Sequence, residues 1–407
     1  MQSVVTPRVS VQDIEEAQRV LVGVSVVTPV EHSRQLSAAV GGAVAFKCEN
    51  LQRTGSFKIR GAYVRIAGLT DGERARGVVA ASAGNHAQGV ALAASLLGSS
   101  ATVFMPEGAP LPKVAATKAY GAEVRLHGVR VDDALEEAMR YAEETGRVLV
   151  HPFDHAHVIA GQGTVGLEIL AAVPDVATVV VPLGGGGLIA GIAVALKAAR
   201  PDIRVVGVQA EGANSFAASL KAGRPQSLAT MATIADGIAV ARPGELTLDL
   251  VEAYVDEVRT VSDESLSRAL LMCLERAKMV VEPAGVAAVA AIQDDPATFK
   301  SPVVAVLSGG NVDALLLLRV IRHGLAAAGR YVSFRLRMPD RPGELARVLD
   351  ELAAQGANVL EVEHVRTGRK LHVDEVEVEL QLETNGPEHS GEIVGRLESA
   401  GYRVTFV

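Results

Sequence analysis

The side chain best placed to do chemistry in this sequence is the amine of Lys58, in the stretch Ser56-Phe57-Lys58. The lysine follows a Thr-Gly-Ser turn and stands between an aromatic and an aliphatic residue, so we expect its side chain to be partly desolvated. Desolvation disfavours the ammonium form, and a neutral amine can attack a carbonyl carbon. Because most lysines are solvated surface charges, the chemical interpretation needs a second element to support it.

That second element is the loop Gly184-Gly185-Gly186-Gly187-Leu188, which follows an apolar strand predicted over residues 177–181. Backbone amides in a glycine loop can approach an anion closely, and the helix predicted over residues 188–199 directs its positive end at the same place. An imine-forming lysine and a phosphate-binding loop together are what pyridoxal phosphate requires. Gly185-x-Gly187-x-x-Ala190 also fits a relaxed dinucleotide fingerprint, so a nicotinamide oxidoreductase is the alternative.

Two polar turns follow other apolar strands of the chain. In Ser82-Ala83-Gly84-Asn85-His86, the Asn85 amide can donate to a ring oxygen, while Ser82 and the neighbouring backbone amides can bind a carboxylate. The other turn is Ser308-Gly309-Gly310-Asn311, after the strand predicted over residues 303–307. A plain helix cap and a plain strand-end turn are the structural alternatives at these two places.

Four motifs in this order resemble the threonine dehydratases, which share the pyridoxal-phosphate fold of serine racemase and the tryptophan synthase β subunit. They are Ser56-Phe57-Lys58-Ile59-Arg60-Gly61-Ala62, Ser82-Ala83-Gly84-Asn85-His86-Ala87-Gln88-Gly89, the tetraglycine loop and Ser308-Gly309-Gly310-Asn311. The resemblance implies that Lys58 holds the cofactor as an imine and removes the substrate α-proton. It also implies cofactor contacts from Phe57, Asn85, Gly184 to Leu188, Gly237, Glu282 and Ser308, and substrate contacts from Ser82, Ala83, Gly84, Asn85 and His86.

The implied reaction is deamination of L-threonine to 2-oxobutanoate and ammonia, with L-serine as a second substrate giving pyruvate. Serine dehydratase and serine racemase activities of the same fold are the nearest alternatives. Ala83 stands where serine racemase has a serine whose hydroxyl protonates the second face of Cα; a methyl group cannot do this, so elimination is favoured over racemisation. A non-catalytic amino-acid sensor is the remaining alternative.

Composition limits the class of protein. A chain of 407 residues is long enough for two or three domains, and its net charge of −8 offers no basic field for nucleic acid or anionic lipid. The two cysteines lie far apart in the sequence, and Met1-Gln2-Ser3-Val4 lacks the pattern of a secretory signal. The uncharged stretch 176–196 is interrupted by Pro182 and the glycine loop, which argues against a membrane span. We therefore expect a cytoplasmic protein.

Short apolar strands alternate with amphipathic helices along most of the chain, which predicts an α/β fold with parallel sheets. The resemblance predicts a tryptophan-synthase-β-like catalytic domain over residues 1–323, with a small lobe at about 50–155. Residues 324–329 are predicted as a linker. After it, the pattern of residues 330–407 gives the order βαββαβ of a ferredoxin-like module.

The turn Asp340-Arg341-Pro342-Gly343-Glu344-Leu345 in this module resembles an ACT domain, a family of amino-acid-sensing modules. Pro342 and Gly343 open a helix whose amides could hold an amino-acid carboxylate, and Asn358 could hold the amino group. A branched-chain amino acid is the expected effector. The alternative is that the module only pairs subunits, and we expect a homodimer or homotetramer.

A metal site is not expected. The stretch from His151 to His157 contains ligand types, but their spacing does not match that of a structural zinc site. Glu211 lies where some relatives bind a divalent cation, yet Asn214-Ser215-Phe216-Ala217 lacks the downstream carboxylate.

Overall fold

The structure, a computed structural model, describes residues 9–366 and 371–406 of the chain. The N-terminal stretch that bears on secretion, and Val407 of the predicted last strand, lie outside these residues. The chain divides into two compact units at the boundary between Leu317 and Leu318.

The first unit consists of alternating strands and helices. Its strands are β1 (Val30–His32), β2 (Val44–Cys48), β3 (Val78–Ala81), β4 (Ala101–Met105), β5 (Glu123–Leu126), β6 (Val148–Leu149), β7 (Thr178–Pro182), β8 (Arg204–Ala210), β9 (Glu257–Val261) and β10 (Val303–Leu307). Its helices are α1 (Val11–Val20), α2 (Arg34–Val40), α3 (Lys58–Ala67), α4 (Asp71–Arg76), α5 (Asn85–Leu96), α6 (Leu111–Ala119), α7 (Val131–Thr145), α8 (Ala156–Ala172), α9 (Gly187–Ala199), α10 (Ser215–Ala222), α11 (Glu245–Tyr254), α12 (Asp263–Met272) and α13 (Ala287–Asp294). A further helix, α14 (Ala314–Ala327), begins here and crosses the unit boundary.

Two sheets form the two lobes of this unit. The larger has the strand order β1-β2-β10-β7-β8-β9 and is parallel except for β1, which pairs antiparallel with β2. The smaller, β5-β4-β3-β6, is parallel throughout and comes from the chain between β2 and β7. Strands β3, β7 and β10 are buried at every residue, as expected for parallel sheets covered on both faces. The predicted α/β class with parallel sheets is confirmed.

This topology explains why the four sequence motifs can meet. The Lys58 stretch follows β2, the Ser82 turn follows β3, the glycine loop follows β7 and the Ser308 turn follows β10. In open α/β sheets, ligands bind outside the carboxyl ends of the strands. All four motifs therefore emerge on the sheet edges where a ligand site is expected.

The second unit has the predicted βαββαβ order. Its elements are β11 (Tyr331–Pro339), α15 (Glu344–Ala354), β12 (Asn358–Val365), β13 (Glu375–Glu383), α16 (Pro387–Ser399) and β14 (Arg403–Phe406). The strands pair antiparallel in the order β12-β13-β11-β14. Alternate residues of β11 and β13 are buried against apolar residues of both helices, such as Leu352 and Ile393. The ferredoxin-like prediction is confirmed.

The predicted linker differs from the structure. Residues 324–327 are the last turn of α14 rather than an irregular connection, and the compact units meet at residues 317 and 318. Gly324, the first residue of the predicted linker, is buried within α14. A glycine inside a helix costs about 1 kcal/mol relative to alanine, and close packing can outweigh that preference.

Both cysteines are unlinked and buried in the first unit. Burial raises the pKa of the Cys48 thiol to about 12. It raises the pKa of the Cys273 thiol to about 12 as well. In the part of the chain that the structure describes, no helix has the length and apolar character to cross a membrane.

Candidate active site

The loop before Lys58 is attached to the Ser308 turn by backbone hydrogen bonds. Phe57 N donates to Ser308 O (3.3 Å), and Gly310 N donates to Gly55 O (2.8 Å). Ser56 and Gly309 form an isolated antiparallel bridge between these two bonds. Lys58 is the first residue of α3, so the turn at the end of β10 determines where that helix begins.

Glycine contacts hold α3 closely between two other helices. A Cβ added to Gly89 on α5 would lie 3.1 Å from the backbone carbonyl carbon of Lys58. On the other side, a Cβ added to Gly161 on α8 would lie 2.7 Å from Cα of Gly61. Any larger residue would move the backbone that carries Lys58.

A buried cluster of four charges also connects α3 to α8. The Arg60 guanidinium donates to both Glu49 (2.8 Å) and Glu168 (2.6 Å), and Lys47 Nζ donates to Glu168 (2.5 Å). Arg60, Glu49 and Lys47 have no solvent-accessible surface. Removing one partner of a buried ion pair leaves an uncompensated charge and costs about 3–5 kcal/mol. The cluster therefore fixes the position of α3 relative to β2 and α8.

The amine of Lys58 lies in a surrounding that favours its neutral form. Burial lowers the pKa of Lys58 to about 8, and the nearby Glu282 carboxyl raises it in part. Lys58 Nζ donates to the carbonyl oxygen of Pro152 (2.9 Å) and lies 5.0 Å from the ring centroid of Phe57. A lysine with a pKa near neutrality is available as a nucleophile and as a base.

Protein side chains pack against the glycine loop. A Cβ on Gly185 would collide with the ring of Phe153, and one on Gly187 would lie 3.0 Å from Phe153 Cα. Gly186, with φ 95°, is the N-cap of α9, and a Cβ there would lie 2.8 Å from Phe216 Cζ. The glycines are thus required by the packing of this loop as well as by any approach of an anion. Leu188 is buried in the core, so only its backbone faces the loop.

The segment Pro152-Phe153-Asp154 connects the lysine to the glycine loop. Pro152 accepts the bond from Lys58, and Phe153 packs against Gly185 and Gly187. The Asp154 carboxylate accepts bonds from the backbone amides of Glu245 (3.1 Å) and Thr247 (3.0 Å) at the start of α11. The sequence pattern suggests only metal ligands in this segment, and nothing in its spacing indicates these contacts.

Asn85 lies at the centre of a second set of contacts. Its Nδ2 donates to Glu282 Oε1 (2.7 Å), and its Oδ1 accepts from Asn311 Nδ2 (2.8 Å). A Cβ on Gly309 would lie 3.0 Å from Asn85 Nδ2, so the glycine next to Ser308 makes room for the amide. The predicted cofactor residues Asn85 and Glu282 are therefore in contact, and the Ser308 turn lies beside them.

Glu282 is buried beside residues of two predicted site segments. Burial raises the pKa of Glu282, although the hydrogen bond from Asn85 lowers it in part. A Cβ on Gly237 would lie 3.5 Å from Glu282 Oε1, and one on Gly184 would lie 3.4 Å from Gly237 O. The glycine loop, Gly237, Glu282 and Asn85 therefore lie next to one another in this order.

The predicted substrate residues differ in what they offer. Ser82 Oγ accepts from Gly84 N (3.1 Å), and a Cβ on Gly84 would enter open space. The first amides of α5, from Asn85 onward, have no partner within the helix. His86 is buried with its Nε2 2.8 Å from Val150 O, and burial lowers its pKa to about 3. The neutral ring donates to that carbonyl, which leaves the backbone amide of His86 as the group that this residue could offer to a substrate.

These residues match what pyridoxal phosphate requires, by the chemistry of their donors. A buried lysine presents an amine, the glycine loop presents amides at the N-terminus of α9, and Asn85 presents an amide nitrogen. The Ser56 hydroxyl is buried and has no hydrogen-bond partner among the described residues. A buried lysine amine, a glycine loop at a helix N-terminus and open space beside Gly84 fit a cofactor site of this class.

The fold and the site together are those of a two-lobed pyridoxal-phosphate enzyme, which is followed in the sequence by a ferredoxin-like module. The family model "Pyridoxal-phosphate dependent enzyme" matches residues 24–309, and the model "ACT domain" matches residues 332–401. The chain belongs to the pyridoxal-phosphate-dependent enzyme family and carries an ACT domain. This match supports pyridoxal phosphate over the nicotinamide alternative that the glycine pattern left open.

Relatives resemble the chain over most of its length. It is 49% identical over 399 residues to an L-threonine ammonia-lyase of Thermotoga maritima, covering 98% of this chain and 100% of the relative. A solved threonine deaminase from T.th. is 43% identical, with a TM-score of 0.71, and the match covers 75% of this chain and 99% of that one. Maize serine racemase is 39% identical, with a TM-score of 0.73 and coverages of 78% and 98%.

Residues predicted for regulation lie in the second unit. Gly343, with φ 88°, is the N-cap of α15, and Pro342 precedes it at an exposed position. Asn358 begins β12, and its Nδ2 donates to Glu383 (3.2 Å). The carbonyl end of that side chain is the part left to accept from an amino group.

Two stretches contain residue types that bind metals, His151 to His157 and the surroundings of Glu211, and in the structure both are parts of the scaffold. His151 Nδ1 accepts from the backbone of Phe153 and Asp154, and Glu211 begins a short 3₁₀ turn after β8. Among residues 9–366 and 371–406, no group of three or more His, Cys, Asp or Glu side chains is arranged to hold a metal ion.

Proposed function

We propose that this chain is a threonine ammonia-lyase that converts L-threonine to 2-oxobutanoate and ammonia, and L-serine to pyruvate and ammonia. The observation that carries the proposal is the amine of Lys58, which has a pKa of about 8 and is connected through Pro152 and Phe153 to the glycine loop. The relative that spans both units of the chain is named an L-threonine ammonia-lyase, which supports the same reaction.

Each predicted site residue has a role in holding the cofactor. Lys58 would bind its aldehyde carbon, Asn85 Nδ2 would donate to its ring oxygen, and the loop from Gly184 to Leu188 would bind its phosphate through backbone amides. Phe57 would pack beside the ring, and Ser308 would offer a neutral hydroxyl to the ring nitrogen. Gly237 and Glu282 close the side next to Asn85.

Different residues of the chain would carry out different steps of the elimination. When bound, the cofactor withdraws electrons from the substrate α-carbon and makes its proton acidic. Lys58 Nζ takes that proton, and Ser82 with the free amides of α5 holds the substrate carboxylate. The β-hydroxyl takes up one proton and leaves as water, so that in total the substrate loses its α-proton and its hydroxyl group. Hydrolysis of the released enamine then consumes one water. Threonine therefore gives 2-oxobutanoate and ammonia with all atoms balanced.

The test combines a spectrum with a product assay. We expect purified protein to show a visible chromophore, to form 2-oxobutanoate from threonine, and to give a borohydride-fixed label on the peptide that contains Lys58. Lys58→Ala removes both the attachment and the base, so activity should fall by at least about a thousandfold. A fixed label on any other lysine would remove the basis of the proposal.

Serine racemase is the second candidate, and the similarity to the maize enzyme favours it. Racemisation needs a proton donor on the second face of Cα. By the resemblance to serine racemase, Ala83 would offer only a methyl group there. A chiral assay separates the two: pyruvate without D-serine supports the lyase, and D-serine at a comparable rate supports the racemase.

Regulation by a branched-chain amino acid, isoleucine or valine, belongs to the same proposal. The ACT domain match supports amino-acid binding in the second unit. The residues that would bind the effector are Pro342, Gly343 and Asn358. Unchanged kinetics after removal of residues 330–407 would count against it. We also propose that the protein is a homodimer or homotetramer. We propose that it lies in the cytoplasm, and its two unlinked thiols support such a reducing compartment.

A further inference from the structure

We propose that Asn311 is a positioning residue that fixes which end of the Asn85 amide faces the cofactor. The inference rests on the proposed function, in which Asn85 donates a hydrogen bond to the cofactor's ring oxygen. An asparagine amide presents a donor at one end and an acceptor at the other, and turning it over exchanges the two. Something must therefore hold Asn85 in one orientation.

The orientation of Asn311 is set by a backbone carbonyl. Asn311 Nδ2 donates to Thr54 O (2.6 Å) and to Asn85 Oδ1 (2.8 Å). A carbonyl oxygen only accepts hydrogen bonds, so the end of Asn311 near Thr54 must be its nitrogen. That nitrogen has two hydrogens, and these two bonds use both of them.

The orientation of Asn85 follows from that of Asn311. Its Oδ1 accepts from Asn311, so its Nδ2 points to the other side, where it donates to Glu282 Oε1 (2.7 Å). The second hydrogen on Asn85 Nδ2 meets no acceptor from the described residues and is available to a ligand. The Thr54 carbonyl thus sets the orientation of the Asn311 amide, and Asn311 in turn sets the orientation of the Asn85 amide.

Glu282 cannot set this polarity by itself. A carboxylate accepts, whereas a protonated carboxyl group also donates, so the end of the Asn85 amide that pairs with Glu282 depends on the protonation of Glu282. Asn311 is the partner that distinguishes the two ends.

The surroundings of Asn311 are built to keep it in place. Thr54 has φ 64°, a left-handed conformation that is uncommon outside glycine, and its carbonyl meets the Asn311 amide in this conformation. A Cβ on Gly55 would lie 3.0 Å from Asn311 Cγ, so the Gly55 position admits only a glycine while Asn311 keeps this place. The same turn begins with Ser308, and Gly310 N binds Gly55 O.

The test compares two variants of Asn311 in the holoenzyme. Asn311→Asp puts an acceptor where the donor was, so the Asn85 amide should turn over and present its oxygen to the cofactor. We expect a shifted visible absorption maximum, a changed pH titration of the bound chromophore and about tenfold weaker binding of pyridoxal phosphate. Asn311→Ala, which leaves Asn85 free to adopt either orientation, should give smaller changes in the same direction.

Asn50→Ala is the matched control. Asn50 is a buried asparagine, and its Nδ2 donates to Val280 O (3.2 Å) without reaching Asn85. It should lower the thermal midpoint while leaving the chromophore unchanged. If both Asn311 variants keep the wild-type spectrum and bind the cofactor within twofold of wild type, the inference is wrong. It is also wrong if Asn50→Ala shifts the spectrum as much as the Asn311 variants do, because Asn311 would then have only a structural role.

The spectral measurement also separates this inference from the proposed function. A wild-type protein that holds its chromophore but leaves threonine intact would overturn the lyase assignment, while the comparison of spectra still decides the role of Asn311. Should Asn311→Asp fail to fold, Asn311→Ala with the same readouts decides it.

Discussion

The glycine loop of the first unit and the glycine turn of the second both precede a helix, yet their surroundings are opposite. Cβ atoms on Gly185 or Gly186 would run into Phe153 or Phe216, whereas nothing lies within 4 Å of a Cβ on Gly343. The loop is therefore shaped by the protein before any ligand arrives. Gly343 is required only by its backbone angle, and its surroundings are open.

The same difference extends to the helices of the two units. On α8 and α9, Cβ atoms on Gly163 or Gly191 would contact the neighbouring helix within 3 Å. On α16, Gly391 and Gly395 have nothing within 4 Å of an added Cβ. Close helix packing around a preformed site suits a catalytic unit, because catalytic geometry tolerates little displacement. An open module leaves room for an effector.

The largest expected effect comes from filling the packed loop. Gly185→Ala places a methyl group against the Phe153 ring, and overpacking of this kind costs about 2 kcal/mol. Pyridoxal phosphate should then bind roughly thirtyfold more weakly, as measured by equilibrium titration of the chromophore. Gly72→Ala, on the exposed helix α4, is the control. Wild-type affinity in Gly185→Ala would contradict the idea of a preformed loop.

A second expected effect concerns the charge of the site. Because burial lowers the pKa of Lys58 to about 8, recombination of cofactor-free protein with pyridoxal phosphate should accelerate as pH rises, with a midpoint near pH 8. Glu282 favours the ammonium form, so Glu282→Gln should move that midpoint to lower pH and speed recombination at pH 7 by about threefold. The exposed Glu31→Gln is the control, and stopped-flow absorbance measures both. A midpoint above pH 10 would contradict the environment described for Lys58.

The smallest expected effect comes from substituting Gly343, in the exposed turn before α15. Gly343→Ala forces alanine into a left-handed conformation, which costs about 1 kcal/mol, and should weaken any response to isoleucine. Gly391→Ala, in the exposed middle of α16, should instead stabilise the second unit by about 0.5–1 kcal/mol. Hydrogen exchange of the second unit in the full chain measures both. Equal signs for the two substitutions would show that backbone angle is not the reason for Gly343.

Sequence patterns predicted the strands that carry the site because those strands are continuous apolar runs. The predicted strand at 303–307 has the observed bounds of β10, and the strand predicted at 177–181 is shifted by one residue from β7. Glycine positions were predicted as well, but as a means of anion approach, whereas the structure also gives them a packing role against Phe153 and Phe216. The sequence shows that a residue is small, but it does not show which neighbouring side chain requires a small residue at that position.

Contacts between distant residues were beyond the sequence. Asn85 and Glu282 are 197 positions apart, and Lys47 and Glu168 are 121 apart. Asp154 caps a helix whose amide at Thr247 lies 93 positions away. No periodicity connects such pairs, because the order of the strands in the two sheets brings them together. The sequence analysis thus identified the site segments, while the polar contacts between them required the fold.

The two buried thiols have a practical consequence. A thiol reacts as its thiolate, and at neutral pH burial leaves almost none of that form on Cys48 or Cys273. A single cysteine added at an exposed position in each unit would therefore take maleimide dyes without background from the native residues. Fluorescence energy transfer between such dyes could follow the distance between catalytic and ACT units as an amino acid is added, with the native cysteines left in place.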